Sequence, residues 1–194
     1  MLLLGIVFCT AIAAAEARAK YVFLFIGDGM GPGIRAYYNQ EVPDNNLARF
    51  AISVPTSTLN YEGKITDSAA AGTAIACGVK TGNGEVGLNP DNRPVTSVAK
   101  RFRDRNYAVG IVTSVGLNDA TPGGFYGNRP TRKDYAGLLS DLQASDFDFF
   151  AGGALLLPNG LSDKDFDKLM KPAGYTVVRE LKFDDQAPQK KVIY

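Results

Sequence analysis

The sequence predicts an α/β protein built on a mainly parallel central sheet with helices on both faces. Three observations carry this. Residues 20–26 (Lys-Tyr-Val-Phe-Leu-Phe-Ile) and 107–114 (Tyr-Ala-Val-Gly-Ile-Val-Thr-Ser) are near-continuous apolar, β-branched runs, the pattern of strands covered on both faces. Each run passes directly into a glycine-bearing loop, where ligand sites lie in open α/β sheets. An amphipathic stretch, 94–106, precedes the second run and completes a β–α–β pattern.

The chain has 194 residues, enough for one domain with a substantial core. Its 21 basic and 20 acidic residues give a net charge of +1 and no basic run, which argues against nucleic acid or an anionic membrane as a partner. The two cysteines, Cys9 and Cys77, do not make a disulfide framework. There is no histidine, so any hydrolytic chemistry must use other bases and metal ligands or obtain them elsewhere.

Residues 2–15 form an apolar run too short to span a membrane comfortably, followed by Ala17-Arg18-Ala19 before Lys20. This small-x-small pattern reads as a secretory signal peptide over 1–19, implying export to the periplasm or medium and leaving Cys77 alone in the mature chain. No positive residue precedes the apolar run, and a buried N-terminal helix is the alternative.

The first strand, 20–26, leads into Gly27-Asp28-Gly29-Met30-Gly31, which exposes Asp28 between glycines as a candidate metal ligand or as an ordinary turn aspartate. Short helical pieces follow at 34–40 and 46–50, then an apolar Thr/Ser-rich strand at 51–59 bent at Pro55. Residues 65–77 (Ile-Thr-Asp-Ser-Ala-Ala-Ala-Gly-Thr-Ala-Ile-Ala-Cys) make an Ala-rich helix with Ser68 in its first turn. Unpaired N–H groups and the helix dipole there favour an oxyanion, which makes Ser68 a candidate nucleophile. The same stretch, taken alone, also fits an ordinary capping serine on a buried helix.

Residues 78–94 form a long Gly/Asn/Pro-rich loop. The helix within 94–106 carries a basic outer face, and the strand 107–114 runs into Asp119-Ala120-Thr121-Pro122. A carboxylate and a hydroxyl two residues apart suit one hard cation, or a simple turn before proline. A helix through about Ala144 follows Thr131, with Arg132 at its start offering a planar fork to phosphate oxygens. A strand at 146–151, a capped helix at 161–170 and short strand-like runs at 175–179 and 191–194 complete the chain, which looks cut in mid-strand. A truncated sheet of this kind predicts poor stability.

Asp28, Ser68, Asp119, Thr121 and Arg132 together offer a nucleophile, oxygen ligands for cations and a phosphate fork, a set suited to metal-assisted phosphoryl transfer. At this point the chain resembles the alkaline phosphatases. Thr66-Asp67-Ser68-Ala-Ala-Ala-Gly-Thr73 looks like that family's active-site signature. Phe25-Ile-Gly-Asp-Gly-Met-Gly31 looks like its first metal-binding strand end, and Asp119-Ala-Thr-Pro122 with Arg132 like its magnesium-and-phosphate segment. The resemblance runs in order from about Tyr21 to Tyr194, making 20–194 the N-terminal part of such a catalytic domain.

The resemblance implies a three-layer sandwich and hydrolysis of small-molecule phosphate monoesters. It implies a phosphoserine on Ser68, Arg132 on the phosphate, and Asp67 as an arginine-orienting and zinc-site carboxylate. Asp28 would bridge a zinc and the magnesium, and Asp119 and Thr121 would serve the magnesium. Two zinc ions would form the serine alkoxide and activate water, and a homodimer is a possible assembly of the full-length protein. Two departures stand out: Gly127-Asn128 replaces a histidine common in the family, and the second-half zinc ligands are missing from these 194 residues. The full-length protein is therefore read as the enzyme and this chain alone as inactive. The alternatives are a non-catalytic phosphate- or magnesium-binding fragment, or a phosphodiesterase, sulfatase or phosphoglycerate mutase relative. The Asp-Ser-Ala-Ala stretch argues against the superfamily relatives.

Overall fold

A computed structural model of the chain describes residues 19–157, 161–179 and 191–194. Residues 1–18 of the expected targeting segment, with Cys9, lie outside the described residues. The chain divides into two units, Met1–Ile52 and Ser53–Tyr194.

The first unit holds helix α1 (Pro32–Glu41) and a 3-10 turn at Asn46–Arg49, close to the two helical pieces the sequence predicts. Proline opens α1, where its missing N–H costs nothing. Asn45 caps the 3-10 turn by accepting from the Ala48 N–H at 3.0 Å. The expected strand at 20–26 is not formed: the segment is irregular, and Phe23 and Phe25 are 79% and 85% exposed. Apolar periodicity selects residues that suit a strand, but a strand exists only where a neighbouring backbone takes its N–H and C=O groups. The expected strand at 51–59 is likewise irregular, with Ile52 and Val54 exposed.

The second unit is organised on a parallel sheet, β1 (Gly110–Gly116), β2 (Phe149–Ala154), β3 (Thr176–Val177) and β4 (Val192–Ile193), in the order β1-β2-β4-β3. Each strand falls on or beside a run expected from the sequence. Among the described residues β1 pairs on one side alone, and Val112 on it is 74% exposed, so this strand is less covered than its continuous apolar character predicts. Helices α2 (Ser68–Cys77) and α3 (Val98–Arg103) precede β1, α4 (Ala120–Gly123) and α5 (Tyr135–Ala144) lie between β1 and β2, and α6 (Asp163–Met170) lies between β2 and β3. This is an α/β fold.

The core lies around β2. Phe150 is fully buried, with ring neighbours Phe147, Tyr126 and Tyr175 at centroid distances of 6.0, 5.8 and 6.0 Å. Leu138, Leu139 and Leu142 of α5 and Phe166 and Met170 of α6 are also buried. The i, i+4 spacing in each helix sets these residues on one stripe. α5 starts later than Thr131, capped by Asp134 at 2.9 Å, while α6 carries a Ser162–Asp165 capping box. Seating α5 this way leaves Arg132 in the loop before the helix rather than in its first turn.

Candidate active site

Helix α2 begins because Asp67 caps it: its Oδ1 accepts from the Ala70 N–H at 2.9 Å. The capping role therefore belongs to the acid, and Ser68 is the first helical residue, partly open to solvent. Gly78, in the left-handed region at φ 71°, ends the helix. Small residues fill its buried face, Ala69, Ala70, Gly72, Thr73 and Ala76. That lets a second backbone approach, since a β-carbon on Gly72 would stand 3.3 Å from the Thr121 carbonyl oxygen. The Asp119–Gly124 segment beyond β1 is thus laid against the helix that carries Ser68.

Asp119 caps the short α4 through the Ala120 N–H at 2.6 Å, and Thr121 follows within that turn. Arg132 joins the two capping acids. Its Nη2 donates to Asp119 Oδ1 at 3.1 Å and its Nη1 to Asp67 Oδ2 at 3.4 Å. Partial burial works against the Arg132 charge, but the hydrogen bonds and charges of Asp119 and Asp67 outweigh it and hold its pKa above the ordinary arginine value. A guanidinium held by two carboxylates is fixed in direction and stays cationic, and its side chain remains about 31% exposed for a further anion.

A second layer of contacts comes from the 78–94 loop. Gly84 N–H donates to Asp67 Oδ2 at 3.0 Å, and the Arg132 N–H donates to the Gly84 carbonyl at 2.6 Å. Val86 and Arg129 exchange backbone hydrogen bonds at 2.9 and 2.7 Å, so the strand-like pairing runs on to Arg132. Asn83 accepts from the Asp67 N–H at 3.1 Å. Sequence reasoning marks this loop by its length but not these residues, because Gly-Asn-Gly reads as turn chemistry alone.

Asn128, where the resemblance led one to look for histidine, is a brace. Its side chain donates to the Gly87 and Val95 carbonyls and accepts from Lys100 Nζ at 3.2 Å, while its backbone N–H donates to Asp141. Cys77 is half-buried on α2, and burial pushes its thiol pKa up.

The second unit thus brings together Asp67, Ser68, Asp119, Thr121 and Arg132. Asp28 belongs to the first unit, at an exposed turn where the Met30 N–H bonds the Gly27 carbonyl at 3.1 Å and Gly29 sits at φ 70°. Among the described residues no three His, Cys, Asp or Glu side chains converge as a metal-holding group. No helix of the described residues is long and apolar enough to cross a membrane.

Comparison with known proteins gives one consistent result. The family model for alkaline phosphatase matches residues 19–148. The chain is 32% identical over 178 residues to alkaline phosphatase 4 of Bacillus subtilis, covering 84% of this chain and 39% of that protein. The solved alkaline phosphatase of the Antarctic bacterium TAB5 superposes with a TM-score of 0.74 at 27% identity, over 82% of this chain and 48% of that one. A TAB5 variant solved with magnesium bound gives a TM-score of 0.75 at 28% identity, over 86% and 49%. The chain spans about two fifths of the length of the curated relative and about half of the solved ones.

Proposed function

The chain belongs to the alkaline phosphatase family, and on that premise we propose that the protein hydrolyses phosphate monoesters through a phosphoserine on Ser68. The observation that carries this is the Asp67–Arg132–Asp119 bridge beside the start of α2. It sets a fixed cationic fork next to a serine at the positive end of a helix, which is what a transferring phosphoryl group needs.

In this reading Arg132 holds two non-bridging phosphate oxygens. The Ser68 Oγ gives up its proton and attacks phosphorus, and the Oγ–P bond forms as the ester P–O bond breaks and the departing oxygen takes up a proton. Water later displaces the serine, one water proton returning to Oγ as inorganic phosphate is released. Asp67 does two things at once: it caps α2 and orients Arg132. The helix N-terminus and Arg132 stabilise the charge that develops on the phosphoryl oxygens.

Zinc and magnesium are proposed for the whole protein. The residues here do not fit two zinc sites: the sequence has no histidine, and no three-ligand group forms among the described residues. No zinc-dependent step is therefore assigned to this chain. Asp119 and Thr121 offer oxygen donors of the type magnesium takes, and Asp28 is proposed as a metal ligand from its own glycine-flanked turn. Export through residues 1–19 is part of the same proposal.

The test is hydrolysis of p-nitrophenyl phosphate by the whole gene product supplied with zinc and magnesium. Ser68→Ala should lower kcat by about a thousandfold or more. Arg132→Ala should lower kcat/KM by about a hundredfold, as loss of a charge-stabilising donor does. Turnover unaffected by Ser68→Ala would overturn the proposal.

A further inference from the structure

We infer that Asn83 is a positioning residue for this reaction, and that the Gly82–Glu85 turn holds the serine and the phosphate-binding arginine in one frame. The inference rests on the reading of Ser68 as nucleophile and Arg132 as phosphate ligand. Asn83 lies in an exposed loop, yet both ends of its amide are engaged with the chain leading into α2. Its Oδ1 accepts from the Asp67 N–H at 3.1 Å and from Asn60 Nδ2 at 3.0 Å, and its Nδ2 donates to the Ile65 carbonyl at 2.9 Å. The orientation of the amide is fixed by its partners: a backbone N–H can only donate and a carbonyl can only accept. Asn60, which donates to Asn83, is itself buried and accepts from the Lys64 N–H.

The consequence is a residue held at each of its polar ends. Asp67 has its N–H on Asn83, its Oδ1 on the first turn of α2, and its Oδ2 on the Gly84 N–H and Arg132. The neighbouring Gly84 carbonyl takes the Arg132 N–H. The turn is closed internally by Glu85, whose carboxylate accepts from the Thr81 hydroxyl and, at 3.0 Å, from the Gly82 N–H. One four-residue turn therefore grips the residue before the nucleophile and the backbone of the phosphate fork. Loss of the Asn83 acceptor removes the hold on the Asp67 N–H, where the chain enters α2, and loosens the placement of Ser68 relative to Arg132. A misplacement of about 1 Å between reacting groups can cost about a hundredfold in rate.

The experiment compares wild type, Asn83→Leu, Asn83→Asp and Ser68→Ala as whole gene products with zinc and magnesium, by steady-state kinetics on p-nitrophenyl phosphate and by thermal melting. Asn83→Leu removes both hydrogen-bonding ends at similar size. Asn83→Asp keeps the acceptor for Asp67 and Asn60 but loses the donor to Ile65. The expected result is a fall in kcat of about tenfold or more for Asn83→Leu. Asn83→Asp should stay within about threefold of wild-type kcat, with the added charge felt in KM.

A mere brace on the Ile65 carbonyl would affect the two variants alike and track their melting temperatures, and that pattern overturns the inference. So does wild-type kcat in Asn83→Leu, and in that case an inactive Ser68→Ala leaves the proposed function standing. An active Ser68→Ala overturns the proposed function and this inference with it.

Discussion

Gly124 of the segment after α4 lies so close to Gly72 of α2 that a β-carbon on Gly124 would stand 2.9 Å from the Gly72 carbonyl carbon. The obstructing atom is backbone, which cannot rotate away. This near-contact of two glycines sets the distance between the helix that carries Ser68 and the loop that carries Asp119 and Thr121. Gly124→Ala should therefore destabilise the protein by about 1–3 kcal/mol, the usual range for overpacking. Its backbone is ordinary helical (φ −57°), so the effect comes from packing and not from strain. Urea unfolding measures it, and an unchanged midpoint would show that the two segments separate freely.

Asp67 combines a cap and a charge, and two substitutions divide them. Asp67→Asn keeps the cap oxygen but turns an NH2 toward the Gly84 N–H and Arg132, both donors, so it should lose about 1–3 kcal/mol. Asp67→Ala, which loses the cap as well, should lose about 1 kcal/mol more. Both remove one of the two carboxylates on Arg132. Both should therefore leave Arg132 held by Asp119 alone and weaken competitive inhibition by inorganic phosphate, read as a raised inhibition constant for the whole gene product. Equal stability of the two variants would mean that the cap contributes nothing.

The core of the site was legible in the sequence because it depends on short, contiguous chemistry. Asp67-Ser68 before an alanine run predicts a helix start, and the structure adds that Asp67, not Ser68, is the cap. Asp119 and Arg132, thirteen positions apart, do meet. The strand expected at 20–26 depends on a partner backbone that no local pattern supplies, and it is irregular here. Asn83 stayed hidden for a related reason. Its value comes from Asn60, Ile65 and Asp67, 16–23 residues away, and nothing in Gly-Asn-Gly announces them.

Asp146 gives a pH-dependent signature remote from the reaction. It sits at φ 59° and pairs with Lys191 and with Arg103, the latter at 2.6 Å. Hydrogen bonds from Lys191 first and Arg103 second hold its carboxyl below the ordinary aspartate value. A carboxylate with a lowered folded-state pKa contributes stability above its unfolded value, and that contribution is lost as pH falls through the folded value. Asp146→Asn keeps a residue type that tolerates positive φ. At pH 6 the variant should be less stable than wild type by about 0.2–1 kcal/mol, the range for solvent-screened pairs. The gap should close below about pH 4, near and beneath the unfolded aspartate value. A gap that stays constant from pH 6 to pH 3 would show that the pairs do not bias this carboxyl.

Cys77 should be slow to alkylate. Burial raises its thiol pKa, although Lys100 and Arg101 pull the other way, so little thiolate forms near neutrality. Iodoacetamide at pH 8 should modify Cys77 more slowly than a free cysteine and should speed up in urea. Labelling at the free rate in the folded protein would contradict the half-buried position on α2.

The most direct measurement is a rapid acid quench of the metal-supplied whole protein during turnover, followed by mass spectrometry of the tryptic peptide 65–80, which Lys64 and Lys80 bound. The account predicts one phosphoryl group on that peptide, located at Ser68 by fragmentation and absent in Ser68→Ala. Turnover with an unmodified Ser68, or a phosphoryl group on Thr66 or Thr73 instead, would contradict it.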